Sequence, residues 1–394
     1  MVKAKNLYLS KIQLKAELER CLNCPSKPCM SACPVNCSPQ EFIAQAKSGY
    51  FEQAVETISR NNPMGQTCGL ICPDKFCMKA CTRSHIDFAV NIPKVQATIL
   101  EKYRQQKNDN FLVSSNGRKI AIIGAGPAGM AAAAELGRQG YKIDIYEASN
   151  QIGGALNMIP DARLPYNVIE KDWSFIFNRE FITLHLTTKI DNPANLFNQG
   201  FDGVIVATGE PNVVGLNIPG EDCSLSYMDY LRQPKKYAAT GKVAVIGGGN
   251  VAADCALTAV ENGASHVEMF VRRRLSDMRI SQQEHLELLK NEINISALSS
   301  PEKIEKNEDG LSLSIRRNHM LNGELRPLPG AVIELTGFDL VITAIGSRAD
   351  AKINDNRIIY AGDCKHGGST IVEALASGRD AARLLDDRLS LAAE

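Results

Sequence analysis

Lys119 to Met130 reads KIAIIGAGPAGM, an apolar run that enters a turn of Gly124, Gly126 and Gly129 and leaves into the alanine-rich stretch Ala131 to Leu136. A strand therefore meets a helix across three glycines, the junction at which backbone N–H groups hold a dinucleotide pyrophosphate. Gly124 allows the tight turn, Gly126 with Pro127 and Ala128 lets the backbone approach the phosphates, and Gly129 lets helix and strand pack closely. The next apolar strand, KIDIYE, ends in Glu147, where a carboxylate accepts the hydroxyls of an adenosine ribose. A lone fingerprint of this kind is also compatible with an ordinary turn. The flanking strand and helix, and the acid at that separation, decide for a nucleotide.

Outward from this junction the pattern repeats. Lys242 to Asp254, KVAVIGGGNVAAD, carries Gly247, Gly249 and Ala252 in the G-x-G-x-x-A form, with Asn250 and Val251 between them. Two junctions imply two nucleotides. After the following strand, HVEMFVRRR, the ribose-binding acid is replaced by Arg272, Arg273 and Arg274. An acid there would repel a 2′-phosphate, whereas arginines hold it by charge-assisted bonds, so the second site is expected to prefer NADPH. A solvated surface run is the plainer alternative for these arginines.

Two further strands echo each other, FDGVIVATG ending at Gly209 and FDLVITAIG ending at Gly346, which supports two related three-layer α/β domains. The segments around Gly154 and Arg163 are expected to lie against the far end of the first nucleotide. Finally, RIIYAGD ends in Gly362 and Asp363 ahead of Gly367-Gly368-Ser369-Thr370 and a helix. That arrangement suits FAD, with Asp363 binding ribityl hydroxyls and the helix N-terminus from Thr370 meeting the polar ring edge. The first nucleotide domain is then interrupted by the second.

With 394 residues, two or three domains fit. Forty-four basic side chains against forty-four acidic ones leave no net field to attract nucleic acid or an anionic membrane. The N-terminal residues have charges spread through them and no apolar core of signal-peptide length. The longest low-polarity segment, Lys119 to Leu136, is broken by glycines and Pro127, so a cytoplasmic protein is expected.

Twelve cysteines in such a compartment call for an explanation other than disulfides. Nine lie from Cys21 to Cys81, in the blocks Cys21-x2-Cys24-x4-Cys29-x3-Cys33-Pro34 and Cys68-x3-Cys72-Pro73-x3-Cys77-x3-Cys81, with Cys37 between. Bunched thiolates with a Cys-Pro step match the ferredoxin-type run, in which the last cysteine of a block serves the other cluster. Structural zinc is the alternative, but nine thiolates do not divide into fours and these spacings are atypical for it. Two [4Fe–4S] clusters take eight ligands. Spacing leaves open which cysteine is surplus and whether a non-cysteine ligand takes part. Around them, helices are expected over residues 10 to 20, over Ser38 to Arg60 with Phe42, Ile43, Ala46, Phe51, Ala54, Val55 and Ile58 on one face, and over Gln96 to Lys107. Asn108 to Gly117 reads as a linker.

The cysteine blocks through Gln96, together with GAGPAG, IPDARLP, GGGNVAAD and YAGD, resemble the glutamate synthase small-subunit family over nearly the whole chain. Within it, CTRSHIDFAVNIPKVQ looks most like the electron-input part of dihydropyrimidine dehydrogenase. The resemblance implies one cluster on Cys21, Cys24, Cys29 and Cys81 and another on Cys33, Cys72, Cys77 and Gln96. Cys68 and Cys37 would be non-ligands. It implies nicotinamide-nucleotide contacts from Arg272 and Arg279, with Arg273 beside them, and leaves NADPH and NADH both open.

The implied function is an electron-input flavoprotein that passes electrons from NAD(P)H through FAD to the clusters and on to a partner, for reduction of uracil or thymine. Alternatives are a glutamate synthase small subunit, a related ferredoxin-type oxidoreductase and, from another class, a non-catalytic nucleotide-binding scaffold. No acid–base or nucleophilic constellation stands out, so no catalytic side chain is expected in the chain itself. No stretch is left over for a substrate-reducing barrel, and the partner is expected to be an FMN-containing catalytic subunit or a glutamate synthase large subunit. The expected fold is a helical double-cluster domain over 1–112, an FAD domain over 113–220 with 337–394, and an NAD(P)H domain over 221–336, the last two Rossmann-like and nested.

Overall fold

The computed structural model describes residues 6–104, 113–176 and 181–391. Lys107, the expected end of a helix, and Asn108 to Leu112 of the expected linker lie outside the described residues. The chain forms two compact units, one from the described residues of 4–157, 161–211 and 348–394 and the other from 158–160 and 212–347.

The first unit opens with six helices, α1 (Lys11–Arg20), α2 (Pro28–Ser31), α3 (Pro39–Lys47), α4 (Phe51–Asn61), α5 (Gly65–Ile71) and α6 (Ile92–Tyr103). Ser10 and Gln13 start α1 with a reciprocal capping box, and the Asn91 side chain caps α6. The apolar face expected over Ser38 to Arg60 is buried at Phe42, Ile43, Ala46, Ala54, Val55 and Ile58. It is divided between two helices, however, because the chain turns at Ser48–Tyr50 with Gly49 at a φ of 87°. Phe51, just past the turn, is only half-buried and stacks on Tyr103.

A parallel sheet follows. β1 (Lys119–Ile123) leads through α7 (Pro127–Gly137) to β2 (Lys142–Tyr146), and then come α8 (Tyr166–Ile176), β3 (Ile182–His185) and β4 (Gly203–Val206). β1 lies between β2 and β4, with Ile122 opposite both Ile145 and Ile205. Ile120 to Ile123 are buried on both faces, as a central parallel strand requires.

In the second unit, β5 (Asn212–Val213), β6 (Leu225–Ser226) and α9 (Tyr227–Arg232) precede the repeat of that pattern: β7 (Lys242–Ile246), α10 (Asn250–Glu261), β8 (His266–Val271), α11 (Gln282–Lys290) and β9 (Asn294–Ala297). An antiparallel ladder of β10 (Ser299–Asn307), β11 (Gly310–Leu321) and β12 (Glu324–Thr343) joins the sheet, whose order is β10-β11-β12-β7-β8-β9. β12 is bifunctional. Its first half pairs antiparallel with β11 and its last residues, the expected FDLVITAIG strand, run parallel to β7. After β13 (Ser347–Arg348), the strand β14 (Ile358–Tyr360) pairs with β4 in the first unit's sheet, followed by α12 (Asp363–His366) and α13 (Ile371–Leu391). Among the described residues no helix is long and apolar enough to cross a membrane.

Within the first unit, one buried carboxylate joins the helical layer to the sheet layer. Asp172 on α8 accepts from the Gln66 N–H at 3.3 Å and from the N–H and hydroxyl of Thr67 at 2.8 and 2.7 Å, all in the first turn of α5. Arg104, just past α6, pairs with it at 2.5 Å. The amide donors of a helix N-terminus and a guanidinium together offset the cost of removing the carboxylate from water. Asp172→Ala should therefore lower stability by about 3–5 kcal/mol in chemical denaturation, because Arg104 loses this carboxylate where its side chain is only 7% exposed.

Candidate functional site

The cysteines of the first unit lie in and between its short helices. Cys21, Cys24, Cys29 and Cys81 line one cavity, whose wall is otherwise built partly from Leu22, Pro28, Ile43, Val90 and Ile92. Burial raises the Cys21 and Cys29 thiols, and each is also raised by neighbours in this set: Cys21 by Cys24 and Cys81, Cys29 by Cys21 and Cys81. Cys24 contacts the Thr82 hydroxyl at 2.8 Å. Burial pushes Cys72 up to about 12, with Cys33 adding to it, and raises Cys77 well above its usual range, with Cys72, Cys33 and Cys29 adding.

Buried thiols raising one another in this way suit a cationic iron core, which takes up the thiolates and displaces their protons. Among the described residues no three His, Cys, Asp or Glu side chains converge closely enough for a single metal ion.

Burial also raises Cys33, while backbone N–H groups of Cys37, Val35 and Asn36 and the Arg379 guanidinium favour its thiolate. Arg379 reaches this loop from α13 and donates to the Val35 carbonyl at 2.9 Å. Gln96 is buried on α6, where Nε2 donates to the Gly65 carbonyl at 2.6 Å and Oε1 accepts from the Cys37 thiol at 3.6 Å. Cys68 is buried on α5.

At the first fingerprint the roles of the glycines are visible as distances. A β-carbon at Gly124, whose φ is 104°, would stand 2.4 Å from the Ala207 carbonyl oxygen, and one at Gly129 would stand 1.9 Å from the Gly124 carbonyl oxygen. Gly126 is the N-cap of α7 with no side chain capping the helix, so first-turn N–H groups after Pro127, from Ala128 onward, remain for an anion. Glu147 is pinned beside it. One carboxylate oxygen accepts from the Ala125 N–H at 2.9 Å and the other from the N–H and hydroxyl of Ser149. Ser149 was not among the sequence-derived candidates; a hydroxyl two residues past the acid is its only sequence signal.

The Gly153 N–H donates to the Ala125 carbonyl, which brings Gly154 to the fingerprint loop. Gly209, with a φ of 68°, follows β4, and half-buried Arg163 lies in the turn before α8. Burial raises the Asp363 carboxyl above its usual range, while the Ser369 hydroxyl, donating at 2.5 Å, opposes that. Thr370 donates its N–H and hydroxyl to Glu373, so the start of α13 is partly capped by its own side chain.

The second fingerprint repeats the device within its own unit. A β-carbon at Gly247 would stand 2.2 Å from the Ala344 carbonyl oxygen, and Gly249 is the uncapped start of α10, with Asn250 and Val251 at the surface and Ala252 buried. The Arg279 N–H donates to the Gly248 carbonyl at 3.0 Å, which ties its segment to the glycine turn. Gly346, with a φ of 113°, ends the strand beside it. Arg272 and Arg273 are exposed, but Arg274, the third member of the expected anion-binding triplet, is instead forked onto Asp277 at 2.9 and 3.0 Å.

The family model described as Pyridine nucleotide-disulphide oxidoreductase matches residues 118–374, and that described as Dihydropyrimidine dehydrogenase domain II, 4Fe-4S cluster, matches residues 2–108. The NAD-dependent dihydropyrimidine dehydrogenase subunit PreT of Salmonella typhimurium is 30% identical over 386 residues, covering 94% of this chain and 92% of that protein. The NADP(+)-dependent formate dehydrogenase subunit beta of Moorella thermoacetica is 28% identical, covering 92% of this chain and 60% of its own length. In fold the chain is similar to FprA of Mycobacterium tuberculosis in complex with NADPH, with a TM-score of 0.57 and 17% identity over 70% of this chain and 85% of that one. The expected α/β class and the cofactor set of FAD, NAD(P)H and [4Fe–4S] clusters are those of the two matched families.

Because a side chain at position 129 collides with the Gly124 carbonyl, Gly129→Ala should purify with severalfold less flavin per chain while iron content is retained, measured by absorbance after acid release and by iron assay.

Proposed function

Because the chain belongs to the pyridine nucleotide-disulphide oxidoreductase family and begins with a 4Fe-4S domain of the dihydropyrimidine dehydrogenase kind, we propose that it is the electron-input subunit of a two-protein enzyme that reduces uracil or thymine. The chain is an NAD(P)H-dependent FAD and iron–sulfur oxidoreductase. Bound FAD would supply hydride acceptance from NAD(P)H and one-electron release, which suits iron–sulfur clusters as the relay.

One observation carries the reading. The chain holds two separate glycine-turn devices, Gly124 against Ala207 and Gly247 against Ala344, and nine cysteines from Cys21 to Cys81, four of which line one cavity. In the proposal, Ala128 and the rest of the first turn of α7 hold the FAD pyrophosphate, Glu147 binds its ribose and Asp363 its ribityl chain. The start of α10 holds the nicotinamide nucleotide, with Arg272, Arg273 and Arg279 near its ribose. Cys21, Cys24, Cys29 and Cys81 hold one cluster, and Cys33, Cys72, Cys77 and Gln96 the other. The three-domain division, with 221–336 interrupting the FAD domain, is part of the same proposal, as is a cytoplasmic location.

Support for a pyrimidine-reducing partner comes from the Salmonella relative, which is named as a subunit of a dihydropyrimidine dehydrogenase and aligns with nearly the whole chain. The Moorella relative, named for formate, favours a second reading in which the same electron-input device serves another acceptor. Anaerobic purification with its natural partner separates them. Uracil-dependent NAD(P)H oxidation by the complex is expected. Uracil reduction by this chain alone would sink the partner idea, and oxidation dependent only on glutamine with 2-oxoglutarate would move the chain to glutamate synthase.

The nucleotide preference is tested separately. Arg272→Ala combined with Arg273→Ala should raise KM for NADPH by on the order of 10–100-fold and leave KM for NADH nearly unchanged. Equal responses to the two nucleotides would make these arginines a solvated run.

A further inference from the structure

We propose that Arg379 on α13 is a positioning residue for electron transfer: it fixes the Cys33 loop to the helix that packs on the FAD turn, and its charge raises the reduction potential of the cluster that Cys33 helps to hold. The inference rests on the two-cluster reading above and keeps that reading's ligands.

Three consecutive residues of α13 each hold a different part of the electron path. The Ser377 hydroxyl accepts from the Gly362 N–H at 2.9 Å, directly before Asp363. Gly378 lies against the first turn of α7, so closely that a β-carbon there would stand 2.0 Å from the Ala128 carbonyl oxygen. Arg379 reaches the cysteine loop, where Nη1 donates to the Val35 carbonyl at 2.9 Å and Nη2 to the Pro34 carbonyl at 3.4 Å. Those two carbonyls directly follow Cys33 in the chain. Less than one turn of a rigid helix thus sets the cluster loop in register with the segments that would hold the ribityl chain and pyrophosphate of FAD.

The same side chain places a permanent cation at the loop. Arg379 is only 12% exposed, and a guanidinium is not deprotonated in proteins. Its acidic neighbour Asp380, 3.4 Å away, is 63% exposed, so water screens that carboxylate far more than it screens the guanidinium. Burial raises the Cys33 thiol and the backbone N–H groups of Cys37 and Val35 oppose this, as does Arg379, whose field therefore reaches the sulfur. A cluster that accepts one electron becomes one unit more negative, and a fixed cation beside it favours that state.

A merely structural tie and a tie that also tunes the cluster differ in what a neutral replacement does. Glutamine can still donate to one carbonyl but carries no charge, whereas lysine carries the charge without the planar fork.

The test uses the full chain, purified anaerobically as wild type, Arg379→Gln, Arg379→Lys, Asp380→Asn and Cys33→Ser, with iron, sulfide and flavin assays and EPR during a redox titration with dithionite and europium(II). Wild-type protein is measured first, since fewer than about eight irons per chain would sink the two-cluster reading itself. With that satisfied, the signal altered in Cys33→Ser identifies the cluster concerned. Arg379→Gln is expected to keep iron and flavin and to shift that cluster's electron equilibrium against reduction by on the order of tenfold, about 59 mV lower for a one-electron couple. The other cluster and the flavin should stay where they are. Arg379→Lys is expected to bring the midpoint back toward wild type. If the glutamine variant does not retain iron, Asp380→Asn decides: it removes the offsetting carboxylate at an exposed position and is expected to raise the same midpoint. The proposal is overturned by an unmoved midpoint in an iron-replete Arg379→Gln, by a shift that lysine does not restore, by an equal shift at both clusters, or by an unmoved midpoint in Asp380→Asn where that variant decides.

Discussion

The first unit depends on a carboxylate that has no access to water. Asp172 is 0% exposed, and its environment is built from the opposite layer: the first-turn amides of α5 and the Arg104 guanidinium. Burying such a charge is costly unless its lone pairs are filled, and here they are filled by groups that would themselves lack partners at a helix start. α5 carries Cys68 and runs directly into Cys72. The position of Cys72 is thus set partly by a side chain on α8, about a hundred residues away in sequence. Arg379 on α13 adds a second such tie, holding the loop between Cys33 and Cys37 by its carbonyls.

Each nucleotide site, within its own unit, uses one steric device. The first glycine of the fingerprint lies against the carbonyl of an alanine at the end of a neighbouring parallel strand, Ala207 in one case and Ala344 in the other. The echo of FDGVIVATG in FDLVITAIG is the sequence trace of this contact. The strand has to end in a small residue because the turn of the fingerprint passes directly over its backbone. What differs is the neighbourhood of the ribose position. Glu147 is immobilised by Ala125 and Ser149, while Arg272 and Arg273 project from the surface, so in the proposed reading the two sites present opposite charge to their nucleotides.

Much of this was legible in the residue pattern, for physical reasons that can be named. Three glycines between an apolar strand and a helix have few other uses, and cysteines bunched beside Cys-Pro steps are hard to explain without metal chemistry. The helix break at Gly49 was not read from Ser38 to Arg60, because the apolar spacing stays in phase on both sides of the turn. The ladder of β10, β11 and β12 was missed although Asn322-Gly323 is a strong hairpin signal, with both residues at positive φ. The pull of the second fingerprint toward a plain alternation of strands and helices hid it.

The sequence by itself determined the chemistry available to this protein: two nucleotide-binding turns, their opposite ribose environments and a supply of thiols for two clusters. These are local properties, fixed by residue type and spacing along a few turns of chain. Only the tertiary structure decided which groups meet. It gathered Cys21, Cys24, Cys29 and Cys81 around one cavity, buried Asp172 against α5 and brought Cys37 to the oxygen of Gln96. The reason is that hydrogen-bond and ligand partners are selected by packing between segments far apart in the chain, and spacing along the chain carries no record of that packing.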